Sequence, residues 1–226
     1  MARLPAFIAF LVWMMVHLAA AAAVAPGADP WCGPNSGKSE AMALRVEWVP
    51  ATNEESELKG SVRVRDARTG KVLHEIGQLE NWYGHSDAID PDDATAPGID
   101  TRDFNNDGCR DLAVLQDRAG IGNESHAVFL YERATRRFVL HEGLSAIGGL
   151  EIDDRDRNCV TGFWKGGAAD VGTEKHCWVK GKLVKREEYS VSPVYRNDKF
   201  RCYQHVTTTY TGSGRKKVKR ACTKEF

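Results

Sequence analysis

The segment Asp103-Phe104-Asn105-Asn106-Asp107-Gly108-Cys109-Arg110-Asp111, followed at once by Leu112-Ala113-Val114-Leu115, joins an acidic turn to an apolar strand. Oxygen-bearing side chains occupy the first, third, fifth and ninth positions of the turn, and a glycine occupies the sixth. Alternate residues of a tightly curled loop point inward, Gly108 can adopt a left-handed turn, and the carbonyl of residue seven adds a backbone ligand. The sequence therefore predicts a cation site formed by Asp103, Asn105, Asp107, Cys109 and Asp111.

The chemistry of these ligands favours Ca2+. Three carboxylates and one amide oxygen suit a hard cation, and no imidazole or pair of thiols lies at ligand spacing. The loop differs from a true EF-hand because its twelfth position is Val114 rather than a bidentate glutamate, and because a β-prone segment follows it. The alternative is an Asp- and Asn-rich turn that binds no ion, in which the crowded carboxylates would repel one another.

The length of 226 residues is enough for a domain with a sizeable core. Arg3, an apolar stretch over residues 4–16 and a run of alanines predict a secretory signal over residues 1–23, with residues 24–226 as a single domain. An uncleaved anchor is the alternative, although the apolar stretch is short for one. We therefore expect a periplasmic or secreted protein, with no stable membrane insertion after signal cleavage.

Six cysteines fit an oxidising compartment and up to three disulfides. The sequence alone allows several pairings. Turn signals favour Cys159 with Cys177 and Cys202 with Cys222, since each pair brackets a predicted hairpin. Cys32 and Cys109 then remain, and their disulfide would tie the N-terminal segment to the acidic loop.

After the signal, the chain is a succession of short strands and polar turns, with no convincing amphipathic helix. Strands at this spacing predict an all-β sandwich, barrel or propeller. Residues 84–98 form a long loop rich in Asp, Pro and Ala, and long loops in compact domains are usually functional or disordered.

The charge is balanced, with 31 Lys and Arg against 31 Asp and Glu, which argues against a general nucleic-acid binder. The charges are unevenly spread, because acidic residues gather between Asp87 and Asp111 and basic ones between Arg215 and Arg220. The basic run is interpreted as a solvated strand with a protected edge, and a binding patch is the alternative.

Aromatic residues beside polar loops are typical of interface hot spots. Trp82 and Tyr83 lead into the long acidic loop, and Trp164 precedes a glycine-rich turn; Trp164 and Trp178 themselves are interpreted as core. The predicted partner contacts are Tyr83, His85, Asp87 and Asp170. An acidic loop would also attract a cationic hydrolase, mainly by speeding encounter.

No catalytic motif is present, and we expect that the protein is not an enzyme. His85, Ser86 and Asp87 contain the residue types of a triad, but immediate chain neighbours rarely meet in triad geometry. The acidic segment 153–158 lacks a glycine at the sixth position and is interpreted as a polar turn rather than a second ion site.

The cation loop and the strand after it resemble the loop–strand calcium motif of bacterial β-propeller repeats. Residues 103–115 and 128–132, with Phe138, resemble the calcium-loop blade of a family of exported bacterial β-propeller-like proteins, and residues 160–168 and 177–183 continue the pattern. The best-understood members are periplasmic immunity proteins of xanthomonads, which inhibit lysozyme-like effectors delivered into neighbouring bacteria by a type IV secretion system.

This resemblance implies a β-propeller-like array of short antiparallel hairpins with one EF-hand-like calcium loop and one Ca2+ ion. It also implies a protein partner, a lysozyme-like peptidoglycan hydrolase, which is inhibited by a loop that plugs its active-site cleft. A carbohydrate-binding or adhesive module of the same fold is the rival function.

Overall fold

The computed structural model describes residues 29, 31–33, 44–51, 59–66, 69–80, 98–119, 123–212 and 215–226. The predicted signal segment, residues 1–23, lies outside these ranges. Three of the predicted partner contacts, Tyr83, His85 and Asp87, also lie outside the described residues.

The described residues form three antiparallel sheets, in which neighbouring strands are consecutive in sequence. The first sheet contains β1 (Leu44–Pro50), β2 (Lys59–Asp66) and β3 (Val72–Glu80). The second contains β4 (Ile99–Asp100), β5 (Leu112–Arg118), β6 (Glu124–Glu132) and β7 (Arg137–Leu140). The third contains β8 (Glu151–Ile152), β9 (Cys159–Gly167), β10 (Asp170–Val179), β11 (Lys182–Arg196), β12 (Lys199–Tyr210) and β13 (Lys216–Thr223).

The all-β prediction is confirmed, whereas the described residues do not form a closed ring of propeller blades. The difference lies in the C-terminal part of the chain. Strands β11 and β12 are 15 and 12 residues long, and they pair with each other over most of that length. Each therefore extends the third sheet instead of starting another short-stranded blade.

Tight turns explain why the hairpins form locally. Lys180 and Gly181, between β10 and β11, have φ values of 51° and 73°, and Asn197 and Asp198, between β11 and β12, have values of 49° and 60°. Two-residue loops with positive φ at both positions have a twist that matches the flanking antiparallel strands. Three of these four residues are of types that tolerate this conformation well, and Lys180 is the exception.

The second sheet is buried on both faces. Successive side chains of β5 point to opposite sides of the sheet, and each side packs in a different apolar cluster. Leu112 and Val114 belong to one apolar cluster, which also contains Val62 and Val64 of the first sheet. Ala113 belongs to a second cluster, formed with side chains from the helix and the third sheet. The further members of that second cluster are Phe104, Val128, Leu144, Ile147, Leu150 and Val160.

A single turn of helix, α1 (Glu142–Ser145), follows β7 and contributes the buried side chain of Leu144. The Nδ1 atom of His141 accepts a hydrogen bond of 3.0 Å from the backbone N–H of Leu144 and so caps this helix. Among the described residues, no helix combines the length and the apolar character that crossing a bilayer requires.

Candidate metal centre

The acidic turn that precedes β5 is folded around its own side chains. Asp103 accepts hydrogen bonds from the backbone N–H groups of Asp107 and Gly108, at 3.2 and 2.9 Å. Asp107 accepts one from the N–H of Cys109 at 2.8 Å. Gly108 has a φ of 84°, as the sequence pattern requires of its sixth position. The loop is therefore curled, with its carboxylates held by its own backbone.

The third and seventh positions complete the predicted ligand set. The Oδ1 atom of Asn105 accepts a hydrogen bond of 3.0 Å from the N–H of Asp107, and its Nδ2 donates one of 2.9 Å to Oδ2 of Asp107. The sulfur of Cys109 is engaged in a disulfide, so this residue would contribute its backbone carbonyl only.

Asp111 is the most unusual residue of the loop, because its carboxylate is fully buried. Its Oδ2 accepts a hydrogen bond of 2.8 Å from the N–H of Phe104, and its Oδ1 accepts one of 3.0 Å from the N–H of Tyr131. The same side chain therefore joins the start of the loop to strand β6. Each carboxylate oxygen retains acceptor capacity beyond its one hydrogen bond.

The negative charge of this loop has no basic partner among the described residues, because none of their ion pairs includes Asp103, Asp107 or Asp111. Burial raises the pKa of Asp111 to about 7, and the neighbouring carboxylates add to this shift. Burial also raises the pKa of Asp103, with a contribution from the charge of Asp107. A divalent cation would neutralise this excess, and the all-oxygen donor set fits Ca2+.

The carboxylate oxygens of Asp103, Asp107 and Asp111 do not all lie within 4.8 Å of one another. In the part of the chain that the structure describes, the group of three acidic, histidine or cysteine ligand atoms within 4.8 Å of one another is Asp156, Cys159 and Cys177. The two cysteines of that group form a disulfide, so it is not a metal site.

The second acidic turn, at residues 153–158, shows what the cation loop lacks. Asp153 accepts hydrogen bonds from the N–H groups of Arg155 and Asp156, and its other oxygen lies 2.7 Å from Nζ of Lys175. The hydrogen bond from Lys175 lowers the pKa of Asp153. A lysine thus supplies the positive charge here, which agrees with the interpretation of this segment as a polar turn.

The N-terminal segment braces the cation loop. Cys32 forms a disulfide with Cys109, and the N–H of Gly33 donates a hydrogen bond of 2.9 Å to the carbonyl of Gly108. The N–H of Arg110 donates one of 3.0 Å to the carbonyl of Trp31. Trp31 is itself buried in the first apolar cluster, so the brace is anchored in the core.

The third sheet contacts the loop from the other side. The indole Nε1 of Trp178 donates a hydrogen bond of 2.8 Å to the carbonyl of Phe104. Asn106 donates one of 2.9 Å to the side-chain oxygen of Asn158, which lies in the second acidic turn. The loop is therefore positioned by the N-terminal segment, by strand β6 and by the third sheet.

The three disulfides of the structure are the pairs expected from the turn pattern: Cys32–Cys109, Cys159–Cys177 and Cys202–Cys222. Three disulfides are typical of an oxidising, extracytoplasmic environment.

Of the predicted partner contacts, the described residues contain Asp170. It opens β10 opposite Gly167, at the end of the β9–β10 hairpin and away from the cation loop. The neighbouring Trp164 was expected in the core, but its side chain is 37% exposed and lies across Gly172 of the adjacent strand. Glycine at position 172 makes this possible, because a Cβ atom there would lie 2.3 Å from the indole.

Two polar residues of the structure were not anticipated from the sequence. Asp29 is almost fully buried and accepts a hydrogen bond of 2.7 Å from the hydroxyl of Tyr131, whose pKa is raised by burial and by this contact. The carboxylate also accepts one of 3.0 Å from the N–H of Trp31. Asp29 and Tyr131 are 102 positions apart in the sequence, and no local sequence pattern could reveal that they pair.

Comparison with known proteins gives a likeness of fold. Neither models of protein families nor curated proteins match the sequence. A solved structure described as "Structure of a Xanthomonas Type IV Secretion System related protein" has a TM-score of 0.50 and 15% sequence identity to this chain. The alignment covers 79% of this chain and 87% of that one. At this identity, the similarity shows a shared fold.

Proposed function

We propose that this chain is an exported calcium-binding protein that binds and inhibits a lysozyme-like peptidoglycan hydrolase, as an immunity protein against an antibacterial effector. The observation that carries the proposal is the braced acidic loop, whose buried carboxylate has no basic partner among the described residues. The fold likeness to a protein related to a Xanthomonas type IV secretion system supports it. On this proposal the three sheets are an open, β-propeller-like array of antiparallel hairpins, and the protein is not itself an enzyme.

Calcium would stabilise the native state and hold the loop in position. Asp103, Asn105, Asp107, Asp111 and the carbonyl of Cys109 would hold the ion, which supplies positive charge to a partly buried acidic cluster. An ion that binds the native state alone stabilises it by about 2.7 kcal/mol at a hundred times its dissociation constant. The loop would then hold the start of β5, the disulfide to the N-terminal segment, and the carbonyl that Trp178 contacts.

We propose that the surface of this chain that contacts the hydrolase is acidic, because a hydrolase that acts on an anionic cell wall is often cationic. The proposed contacts are Tyr83, which precedes the predicted long loop at residues 84–98, His85 and Asp87 within that loop, and Asp170. Opposite charges would speed the encounter, whereas aromatic residues would supply most of the affinity.

The test is a lysis assay with a purified lysozyme-like effector and peptidoglycan, in calcium and in chelator. We expect inhibition in calcium, reduced inhibition in chelator, and reduced inhibition by the Tyr83→Ala and Asp87→Ala variants. Asp154→Asn is the matched control, since Asp154 is an exposed acid of the second turn. An amidase unrelated to lysozyme serves as the specificity control. Undiminished lysis by several lysozyme-like enzymes at excess protein would contradict the proposal.

A second candidate function rests on the exposed indole of Trp164, since an indole that lies flat on a sheet can stack on a sugar ring. A carbohydrate-binding module would bind peptidoglycan fragments without slowing the hydrolase, and the Trp164→Ala variant would lose this binding. Retained fragment binding in that variant would exclude Trp164 as the sugar platform.

A further inference from the structure

The last 35 residues of the chain are strongly basic. Residues 192–226 contain nine Lys and Arg against two Asp and Glu, although the formal net charge of the whole protein is zero. These residues form the end of β11, all of β12 and β13, and the C-terminal tail, and together we call them the wing. The other 191 residues contain 22 Lys and Arg against 29 Asp and Glu, so the positive charge is concentrated in the wing.

The end of the wing projects beyond the rest of the third sheet. Pairing between β10 and β11 ends at Val171 and Val191, whereas β11 and β12 continue to pair from Ser192 to their turn. Five further residues of strand correspond to about 16 Å at about 3.3 Å per residue. The turn at Asn197 has two residues of positive φ, and the Cys202–Cys222 disulfide fixes β13 to β12. The hairpin end at residues 192–203 is therefore a rigid projection, and together with the C-terminal residues 224–226, which pack against it, we call it the tip.

The tip presents a continuous strip of aromatic rings. Tyr195 lies 6.0 Å from Phe200, Phe200 lies 4.9 Å from Tyr203, and Tyr203 lies 5.3 Å from Phe226, measured between ring centroids. Tyr195 and Phe226 are each 62% exposed, and Phe200 is 38% exposed. Three large aromatic side chains in one exposed strip are more than scattered surface residues, and such patches mark interaction sites.

Cations surround this aromatic strip. The ammonium group of Lys224 lies 5.4 Å from the ring centroid of Phe200 and donates a hydrogen bond to the carbonyl of Arg201. Arg196 and Lys199 pair across the turn itself, and both are exposed. Arg201 is also exposed. The basic residues Lys216, Lys217, Lys219 and Arg220 of β13 are exposed as well, but they pair with residues 206–210 of β12 and so lie toward the other end of the wing.

We propose that the tip docks peripherally on a membrane surface rich in anionic phospholipid, with its aromatic strip at the headgroup level and the basic residues facing the lipid phosphates. Aromatic rings favour the interface because they are apolar with a polar edge or hydroxyl, and Lys and Arg are attracted to anionic headgroups. A projecting hairpin end can contact a flat surface such as a membrane, since it needs no matching groove on its partner. A soluble polyanion would need the cations and would leave the aromatic strip unused.

This docking is independent of hydrolase inhibition, because it uses the basic wing, whereas the contacts proposed for the hydrolase are Tyr83, residues of the predicted loop at 84–98, and Asp170. The ion pairs that hold Lys185 to Glu174 and Glu188 lie in the inner part of the third sheet and leave the tip unaffected.

The test is cosedimentation with vesicles of phosphatidylcholine alone or of equal parts phosphatidylcholine and phosphatidylglycerol, with the full mature chain. Measurements are made in calcium and in chelator, so that ion bridging to the lipid is separated from direct docking. We expect binding to the anionic vesicles in both conditions and little binding to the neutral ones. A Tyr195→Ser and Phe226→Ser double variant should bind about tenfold more weakly.

Two further variants define the result. Arg196→Gln with Lys199→Gln, on either side of the tip turn, should weaken binding and reduce its salt dependence, whereas Val139→Ser, at a 43% exposed residue of β7, should bind like the unchanged protein. Circular dichroism and a free-thiol assay establish that each variant is folded and oxidised. Equal binding by the double aromatic variant would overturn the proposal. Tip-dependent binding to soluble polyglutamate without vesicle binding would overturn it in favour of an acidic protein partner.

Discussion

The indole Nε1 of Trp178 donates a hydrogen bond of 2.8 Å to the backbone carbonyl of Phe104, 74 residues earlier in the chain. Phe104 is the second residue of the cation loop, and its own N–H is held by the buried carboxylate of Asp111. One residue of the loop is thus fixed through its carbonyl by the third sheet and through its N–H by the predicted metal ligand. Loop geometry and sheet position are therefore coupled.

The first prediction concerns this contact. The Trp178→Phe variant keeps an aromatic ring but leaves the carbonyl of Phe104 without its donor. We expect a loss of about 1–2 kcal/mol in the free energy of unfolding, the usual cost of an unsatisfied buried acceptor. Denaturant unfolding in calcium and in chelator measures it, and the loss should be larger in calcium if the contact also supports the loop. Trp164→Phe is the control, because that indole is exposed; equal losses in the two variants would contradict the coupling.

The second prediction concerns the proposed ion. Asp103→Ala and Asp107→Ala remove one carboxylate each, and both should abolish the response of the melting temperature to chelator. At a hundred times the dissociation constant, calcium should raise the melting temperature of the unchanged protein by about 5–10 °C. Differential scanning calorimetry with calcium or chelator provides the measurement. The Asp154→Asn control should retain the full response, and a full response in the Asp103 variant would remove that residue from the site.

The local parts of this fold were accessible from the sequence. The glycine of the loop, at position 108, and the Lys180–Gly181 turn are short-range patterns, because each depends on the backbone conformation of one or two residues. The disulfides Cys159–Cys177 and Cys202–Cys222 follow from the same logic, since each joins adjacent strands of one hairpin. Even the predicted ligand set needs only the spacing of side chains within nine residues.

The non-local parts were not accessible. The contact of Trp178 with Phe104 and the burial of Asp29 against Tyr131 depend on how the sheets pack, which residue types alone do not specify. For the same reason the sequence suggested short propeller blades where strands β9 to β13 form one extended sheet. The exposure of Trp164 depends on Gly172 in the neighbouring strand, and only the register of that pair places the indole on the surface.

The third prediction separates the disulfides by what they hold. In the chain-entropy model, a closed loop of 77 residues stabilises the fold by about 4.5 kcal/mol, and one of 20 residues by about 3.3 kcal/mol. We expect paired replacement of Cys32 and Cys109 by serine to cost more than replacement of Cys202 and Cys222. The former should also reduce calcium affinity, because Cys109 is in the cation loop, whereas the latter should leave it unchanged.

Calorimetric titration of calcium into each oxidised double variant, at a temperature where circular dichroism shows native structure, provides the measurement. Unchanged calcium affinity after loss of the Cys32–Cys109 bond would show that the N-terminal segment does not brace the site.

The fourth prediction is that the contribution of His141 to stability is lost in mild acid. The ring of His141 packs against Trp178, with centroids 5.3 Å apart, and its Nδ1 must be unprotonated to accept the hydrogen bond from Leu144. Burial lowers the pKa of His141 below its ordinary value of about 6.5, and burial also lowers the pKa of His74 and His126. These groups bind protons more readily in the unfolded chain. The contribution of the three histidines to the free energy of unfolding should therefore be fully present above pH 6.5 and fall as the pH decreases below it. Asp103 and Asp111, whose pKa values are raised by burial, contribute in the opposite direction when no ion is bound.

Two substitutions at one position isolate the helix cap within this pH dependence. The His141→Asn variant replaces the ring by a cap acceptor that does not titrate, so it should keep its stability near pH 7.5 and lose less than the unchanged protein on acidification to pH 5.5. The His141→Ala variant removes the acceptor at every pH and should cost about 1 kcal/mol at pH 7.5, with a shallower slope below pH 6.5. Urea unfolding at five pH values between these limits measures all three proteins. Parallel pH profiles for the three would show that the cap of α1 does not titrate, because the remaining slope would then belong to the other groups with shifted pKa values, which include His74, His126, Asp103 and Asp111.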